Sequence, residues 1–270
     1  MKSGEPDPEL TALMAQIARD RGFGCGAYKE SCMRRRLAVR MRARGVHTYD
    51  EYRRLLTGDP TEYDRLLDAL TINVTKFYRN AETWAALAER FLPALWAARG
   101  GAVRAWSAGC ASGEEPYTIA MLLLEQGGAA SEVSRAAIDA TDIDRASLAR
   151  AQEGRYREAA FDEMPAALVH RWTAGAGERT VKPEVRALVR FAPRDLLREP
   201  PPHPSYDLIV CRNVVIYFDR PTQERLFQSF VDALQPGGIL VLGKVETLMG
   251  DARKRLDLVD TRERIYRVRA

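Results

Sequence analysis

Apolar positions along this chain keep two different rhythms. From about Asp7 to Leu70 they recur at helical spacing, as in "PELTALMAQIARDRG" and "YKESCMRRRLAVRMRARG", and both segments end at glycine, a common helix stop. "TYDEYRRLL" continues the pattern, Gly58-Asp59-Pro60 reads as a turn, and "TEYDRLLDAL" follows with Thr61 placed to cap it. Beyond "TINVTKFYRN" (Thr71–Asn80), one further helix is expected over "AETWAALAERFLPALWAARGG". From Val103 the texture changes to alternating strands and helices. "VRAWSAG", "AAIDATDID", "VRALVRFAPRDLL", "YDLIVCRN" and "ILVLGKVE" read as strands, and "EEPYTIAMLLLEQGG", "DRASLARAQEG" and "PTQERLFQSFVDALQPGG" as helices between them. The tail "LDLVD…RIYRVRA" adds a final antiparallel pair. This alternation predicts an α/β fold: a doubly wound, mostly parallel sheet covered by helices on both faces, behind a small all-helical module. The piece from about Gly154 to Val189 breaks the rhythm and is expected to be an insertion or small subdomain.

Composition narrows the picture only slightly. A chain of 270 residues, 46% hydrophobic and 29% charged, has ample material for a buried core. No apolar run approaches membrane-spanning length, and "MKSGEPDPEL" lacks the hydrophobic region of a secretory signal, so a cytoplasmic location and no membrane insertion are expected. Cys25, Cys32, Cys110 and Cys211 form no C-x-x-C pair and no cluster with His47, His170 or His203, so no metal site is expected.

The chemistry begins at "SAGCASGEEPYTIA" (Ser107–Ala120), a glycine turn between the first strand of the alternating region and its helix. In open α/β sheets ligands settle at the carboxyl ends of the strands, beside such a turn. Gly109 and Gly113 allow close backbone approach, but the turn is neither a Walker loop nor G-x-G-x-x-G. Glu114 and Glu115 suit a helix start yet would repel a pyrophosphate. A cationic, hydroxyl-bearing ligand fits better, and S-adenosylmethionine carries a sulfonium, an ammonium and ribose hydroxyls. A second acidic group, Asp142 with Asp144 in "ATDID", lies about thirty positions on, where a ribose diol is gripped in doubly wound nucleoside sites.

The ordered set "TINVTKFYRN", "AWSAGCASGEEPYTIA", "ATDID", "APRDLL", "CRNVVIYFDRPTQ" and "LQPGGILVLGKVETL" closely resembles the CheR-type chemotaxis receptor methyltransferases, over about Leu10 to Val268. The resemblance implies a class I, Rossmann-like S-adenosylmethionine methyltransferase domain that forms glutamate methyl esters on receptor signalling helices and releases S-adenosylhomocysteine. It implies a helical, receptor-docking N-terminal domain over 1–72, a linker and connecting helix over 73–100, and a methyltransferase domain over 101–270 with a small β-subdomain at about 154–190. Carried over by motif, cofactor contacts fall on Asn73, Thr75 and Arg79, on Gly109 and Glu114 or Glu115, on Asp142, on Asp195–Leu196 and on Arg212–Asn213. Two positions depart from the family pattern. Asp195 stands where an asparagine is usual, and Gly243-Lys244-Val245-Glu246 replaces Gly-His-Ser-Glu on the substrate side.

A glutamate carboxylate is already ionised at neutral pH, with a usual pKa near about 4.3, so methyl transfer to it needs no general base. Tyr217 is placed either to orient the acceptor carboxylate or to pack, and Arg79 to meet the cofactor carboxylate or the substrate. Between Lys29 and Arg54 lie nine basic residues against three acidic ones. Arg35 and Arg42 point outward together on a helix and Arg36 with Arg40 line one flank, while Met33, Leu37 and Met41 form the inward face. These four arginines form the candidate docking face for the glutamate-rich cytoplasmic helices of chemotaxis receptors. Few aromatic residues interleave with the charges, so nucleic acid is not an expected partner. The region "TAGAGERTVKPEVRALV" is short and lacks a Gly-Pro feature, so no receptor tail peptide is expected to be needed. A monomer is expected. Two alternatives remain open on the sequence: a methyltransferase for another carboxylate, and a non-catalytic module that senses the cofactor.

Overall fold

The computed structural model describes residues 7–71, 75–127 and 135–269. It divides into two compact units, residues 1–72 with 217–222, and 73–216 with 223–270. Among the described residues no helix is long and apolar enough to cross a membrane.

The first unit contains α1 (Pro8–Arg21), α2 (Glu30–Arg44), α3 (Tyr49–Gly58) and α4 (Pro60–Leu70). Their ends follow local chemistry. The Asp7 carboxylate accepts the N–H groups of Glu9 and Leu10 ahead of α1, and Thr48 with Glu51 forms a reciprocal capping box on α3. Gly22 and Gly45 close α1 and α2 in the left-handed region. The expected cap at Thr61 is corrected: Asp59 caps α4, accepting from the N–H groups of Thr61 and Glu62, because Pro60 takes the first helical position. Leu13, Ile17, Met33, Leu37, Tyr52, Leu66 and Leu70 are buried between the helices. Glu62 is fully buried among them. It receives a two-pronged contact from Arg40 at 3.0 and 2.7 Å, with Arg44 at 3.3 Å and the Tyr52 hydroxyl at 2.7 Å. The 217–222 segment joins this unit through two backbone bonds. The Lys29 N–H donates to the Tyr217 carbonyl and the Asp219 N–H to the Ala27 carbonyl, each at 2.9 Å.

The second unit is built on a seven-stranded sheet, β1 (Arg104–Ala108), β2 (Ala137–Asp142), β6 (Val189–Pro193), β7 (Tyr206–Cys211), β8 (Leu234–Leu242), β9 (Leu256–Asp260) and β10 (Ile265–Val268), in the order β6-β2-β1-β7-β8-β10-β9. The first five in that order run parallel, and β10 is antiparallel to both of its neighbours, β8 and β9, which gives the antiparallel pair expected of the tail. Strand order reverses between β1 and β7, so the carboxyl ends of these two strands flank the switch point of the sheet. β7 is buried at every residue, the mark of a central strand covered on both faces.

The helix expected after the linker is interrupted. It runs as α5 (Ala81–Ala86), a π-helical turn (Leu87–Phe91) and α6 (Leu92–Ala98), because Pro93 has no N–H to continue the ladder. Next come α7 (Glu114–Gly127), α8 (Arg145–Glu153), α9 (Ala166–Trp172), α10 (Pro183–Arg186) and α11 (Arg220–Ala233). The irregular piece after Gly154 holds a separate antiparallel sheet, β3 (Arg155–Arg157), β4 (Thr173–Ala174) and β5 (Glu178–Val181), in the order β3-β5-β4.

Removing Glu62 would leave the Arg40 guanidinium without its buried counter-charge. Glu62→Ala should destabilise the protein by about 3 kcal/mol in denaturant unfolding. Burial pushes the Glu62 carboxyl up, but Arg40 and Tyr52 together hold it below its ordinary pKa. Its stabilisation is therefore present above the unfolded carboxylate pKa and lost as pH falls through the lowered folded value. An unfolding midpoint equal to wild type would refute this role.

Candidate active site

Four parallel strands deliver the predicted cofactor residues to one edge. Gly109 follows β1, Asp142 ends β2, Asp195–Leu196 follow β6, and Arg212–Asn213 follow β7. Registers hold these ends level: Ala108 pairs Thr141, Asp142 pairs Pro193, and Ser107 pairs Val210. Gly109 adopts φ +83°, and a Cβ there would lie 2.5 Å from a methyl of Val214. Glycine is therefore required both by the turn and by the loop after β7. The Asp142 carboxylate is aimed by two backbone donors, Ala111 N–H at 2.8 Å and Asp144 N–H at 2.9 Å. The Arg194 N–H donates to the Asp142 carbonyl, setting Asp195–Leu196 beside it. Asp195 accepts the Leu197 N–H at 2.9 Å, so its side chain closes its own turn.

The two adjacent glutamates face different neighbours. Glu114 accepts from the Ser112 hydroxyl at 2.8 and 3.1 Å. Glu115 accepts the Ser107 hydroxyl at 2.8 Å and lies 3.9 Å from the Arg212 guanidinium. Arg212 is 6% exposed. It donates to the Arg79 carbonyl at 2.9 Å and to the Asn80 side chain at 2.8 Å, with the Trp84 ring 5.2 Å away. Arg79 thus reaches the cluster through its backbone, and its charge also acts on Glu115. Thr75 is half-buried in the loop before Phe77, and Asn73 lies outside the described residues.

Charge is held in this region at a cost. Burial pushes the Glu115 carboxyl up to about 7, against the opposing pull of Arg212 and Ser107. Burial also raises Glu114 and Asp142. The Asn213 side-chain oxygen is buried without a hydrogen-bond partner among the described residues. Buried carboxylates short of counter-charge, an unpartnered acceptor and a glycine floor suit a ligand that brings cationic and hydroxyl donors.

The family model for the CheR methyltransferase S-adenosylmethionine-binding domain matches residues 73–265, and that for the CheR methyltransferase all-alpha domain matches residues 8–71. The chain belongs to the CheR methyltransferase family. It is an S-adenosylmethionine-dependent methyltransferase, with S-adenosylmethionine as its cofactor. A chemotaxis protein methyltransferase of Listeria monocytogenes is 35% identical over 87% of this chain and 88% of its own length. The Escherichia coli chemotaxis protein methyltransferase is 33% identical over 89% of this chain and 84% of its own. An uncharacterized 104.1 kDa protein of Rhodobacter capsulatus is 36% identical over 88% of this chain, which spans only 25% of that longer protein.

In this CheR-family chain the basic helix does not present all four predicted docking arginines. Arg35 and Arg42 are exposed. Arg36 is corrected: it is 6% exposed, with its guanidinium 4.5 Å from the centre of the Tyr217 ring. Arg40 is corrected as well, since it is committed to Glu62. Arg36 sits between the buried Met33 and Leu37, and the Arg40 charge is taken by Glu62, so neither residue offers a free outward charge. Tyr217 belongs to the first unit, where Arg36 covers its ring.

Sequence reasoning missed the residues that hold the site rather than line it. Asn80 and Trp84 secure Arg212, Ser107 secures Glu115, and Glu246 accepts backbone N–H groups of the loop after β7. Asn80 closes the quoted linker motif and Glu246 ends the "GKVE" segment, but Arg212 lies 132 residues from Asn80 and Val214 32 residues from Glu246.

Ionised Glu115 is the form that attracts a cation. Wild type should bind S-adenosylmethionine more tightly than Glu115→Gln above pH about 7, and the gap should close below it, by up to about tenfold per pH unit. Calorimetric titration of both proteins across that range tests this; a gap that ignores pH refutes it.

Proposed function

We propose that the chain methylates glutamate side chains of chemotaxis receptors, with Arg79, Glu115, Asp142, Asp195–Leu196 and Arg212–Asn213 holding the cofactor. The observation that carries this reading is the convergence of buried carboxylates and the Arg79–Arg212 cluster on one sheet edge in a CheR-family chain. Of the adjacent pair, Glu115 is the one we assign to the cofactor ammonium, because it faces the Arg212 cluster. Glu114, tied to Ser112, sets the helix start. The bound cofactor supplies a methyl group on a sulfonium, which passes to a carboxylate oxygen and leaves S-adenosylhomocysteine and a methyl ester. The acceptor is ionised before it arrives, so the protein's work is to align it and remove its water. Asp142 is fixed by two backbone donors and its carboxylate is suited to ribose hydroxyls.

The assay is transfer of labelled methyl from S-adenosylmethionine to a receptor cytoplasmic fragment, scored as base-labile ester. No label despite measurable cofactor binding would favour a sensing module, and label on small carboxylates alone would favour another acceptor.

Receptor docking is assigned to Arg35 and Arg42, the two exposed arginines. The double variant Arg35→Glu/Arg42→Glu should raise the receptor KM by about tenfold or more, with cofactor Kd unchanged. An unaltered KM would remove this face from the docking account.

The β4–β5 connection is only Gly175-Ala176-Gly177, and a Cβ on Gly175 would lie 2.6 Å from the Glu178 carbonyl. This tight hairpin has no extended loop for a peptide. Methylation rates should therefore be equal for receptor fragments with and without their last residues; a slower rate on the truncated fragment would contradict this.

A further inference from the structure

Glu246 lies outside the predicted site, yet it is only 2% exposed and surrounded by backbone donors. Its Oε2 accepts the Gly243 N–H at 2.6 Å, and its Oε1 accepts Val214 N–H at 3.0 Å and Ile216 N–H at 3.4 Å. The Asn213 N–H donates to the same carboxylate. One side chain from the exit of β8 thus gathers the backbone of the exit of β7. The gathered loop has an unusual shape. Asn213 sits at φ +59°, in the left-handed region that non-glycine residues enter at a cost. A Cβ on Gly243 would lie 2.8 Å from Glu246 Oε2 and 3.0 Å from the Asn213 nitrogen, so only glycine leaves room for the carboxylate. On the other side, Val214 fills the space over Gly109. The Asn213 side-chain oxygen is left buried and without a partner among the described residues.

We propose that Glu246 is a positioning residue whose carboxylate fixes the Asn213–Ile216 arch and so aims the Asn213 side-chain oxygen at the cofactor. The proposal rests on the reading of Asn213 as a cofactor contact. Four N–H groups converging on one carboxylate form charge-assisted bonds, which hold a strained backbone more firmly than neutral acceptors do. A glutamine at this position keeps the length but turns an amide NH₂ toward some of the same donors. Val245 is exposed and Lys244 turns to Glu82 and Glu263, so among these residues it is the Glu246 carboxylate that reaches the loop after β7.

The test is a double-mutant cycle on the full chain, with S-adenosylhomocysteine as calorimetric probe. Glu246→Gln and Asn213→Ala should each weaken binding by roughly tenfold, and the double variant should be little weaker than either single one. Gly243→Ala is the second variant, since it keeps the charge and displaces the carboxylate; it should weaken binding similarly if Glu246→Gln does not fold. A purely structural tether would lower the melting temperature and leave the Kd of the folded protein unchanged. Unchanged affinity in Glu246→Gln or in a folded Gly243→Ala, with Asn213→Ala impaired, overturns the positioning role and spares the site reading. Additive losses overturn it too. Unchanged affinity in Asn213→Ala overturns the assignment of Asn213, and the inference falls with it.

Discussion

Arg212 is a cation almost wholly withdrawn from water, and the arrangement of the site follows from what it needs. A buried charge is tolerated only with partners in good geometry. Two neutral partners, the Arg79 carbonyl and the Asn80 side-chain oxygen, come from more than a hundred residues earlier, and the third, a carboxylate, comes from Glu115 at the head of α7. To offer them, the linker takes a strained path, with Tyr78 at φ 56° and Asn80 at φ 61°. The Trp84 indole closes the arrangement by donating to the Arg79 carbonyl at 3.1 Å. One guanidinium therefore ties the linker, the first helix of the sheet and the end of a central strand together.

The charges at this edge explain why the glycine turn is acidic. Phosphate-binding turns present N–H groups and cations to an anion. In this chain the Ala111 N–H is already occupied by Asp142, and the helix start carries the buried Glu114 and the half-buried Glu115. Desolvation lifts all three carboxyls, so negative charge is disfavoured there without a counter-charge. A cationic ligand relieves that strain, and a pyrophosphate would add to it. The basic run in the first unit divides in the same physical way. Arg40 and Arg44 are consumed by Glu62, whose full burial demands counter-charge, while Arg35 and Arg42 remain exposed.

Much of the fold is legible along the chain because it rests on local or periodic signals. Apolar runs at strand length, glycines after helices and the strand–helix alternation gave the parallel sheet and the four-helix unit. Local competition among caps was harder to read. Thr61 and Asp59 are both good caps, and Pro60 decided between them by occupying the first helical position. The single long helix after the linker failed at Pro93 for a similar reason, since a missing N–H changes the ladder upstream of itself.

The sequence by itself determined which residue types stand at the carboxyl ends of the strands, because motif spacing follows directly from strand and loop lengths. Spacing therefore singled out Gly109, the adjacent Glu114 and Glu115, and Asp142, and the family resemblance added Arg212. Only the tertiary structure decided what each faces. Glu115 turns to Arg212 while Glu114 turns to Ser112, since neighbours on a helix point about a hundred degrees apart. Arg36 is buried against Tyr217 and Arg40 is committed to Glu62, which their shared flank of the helix did not reveal, while Arg35 and Arg42 are exposed. Burial and partnership are set by contacts between segments distant in the chain, and no local pattern of residues encodes them.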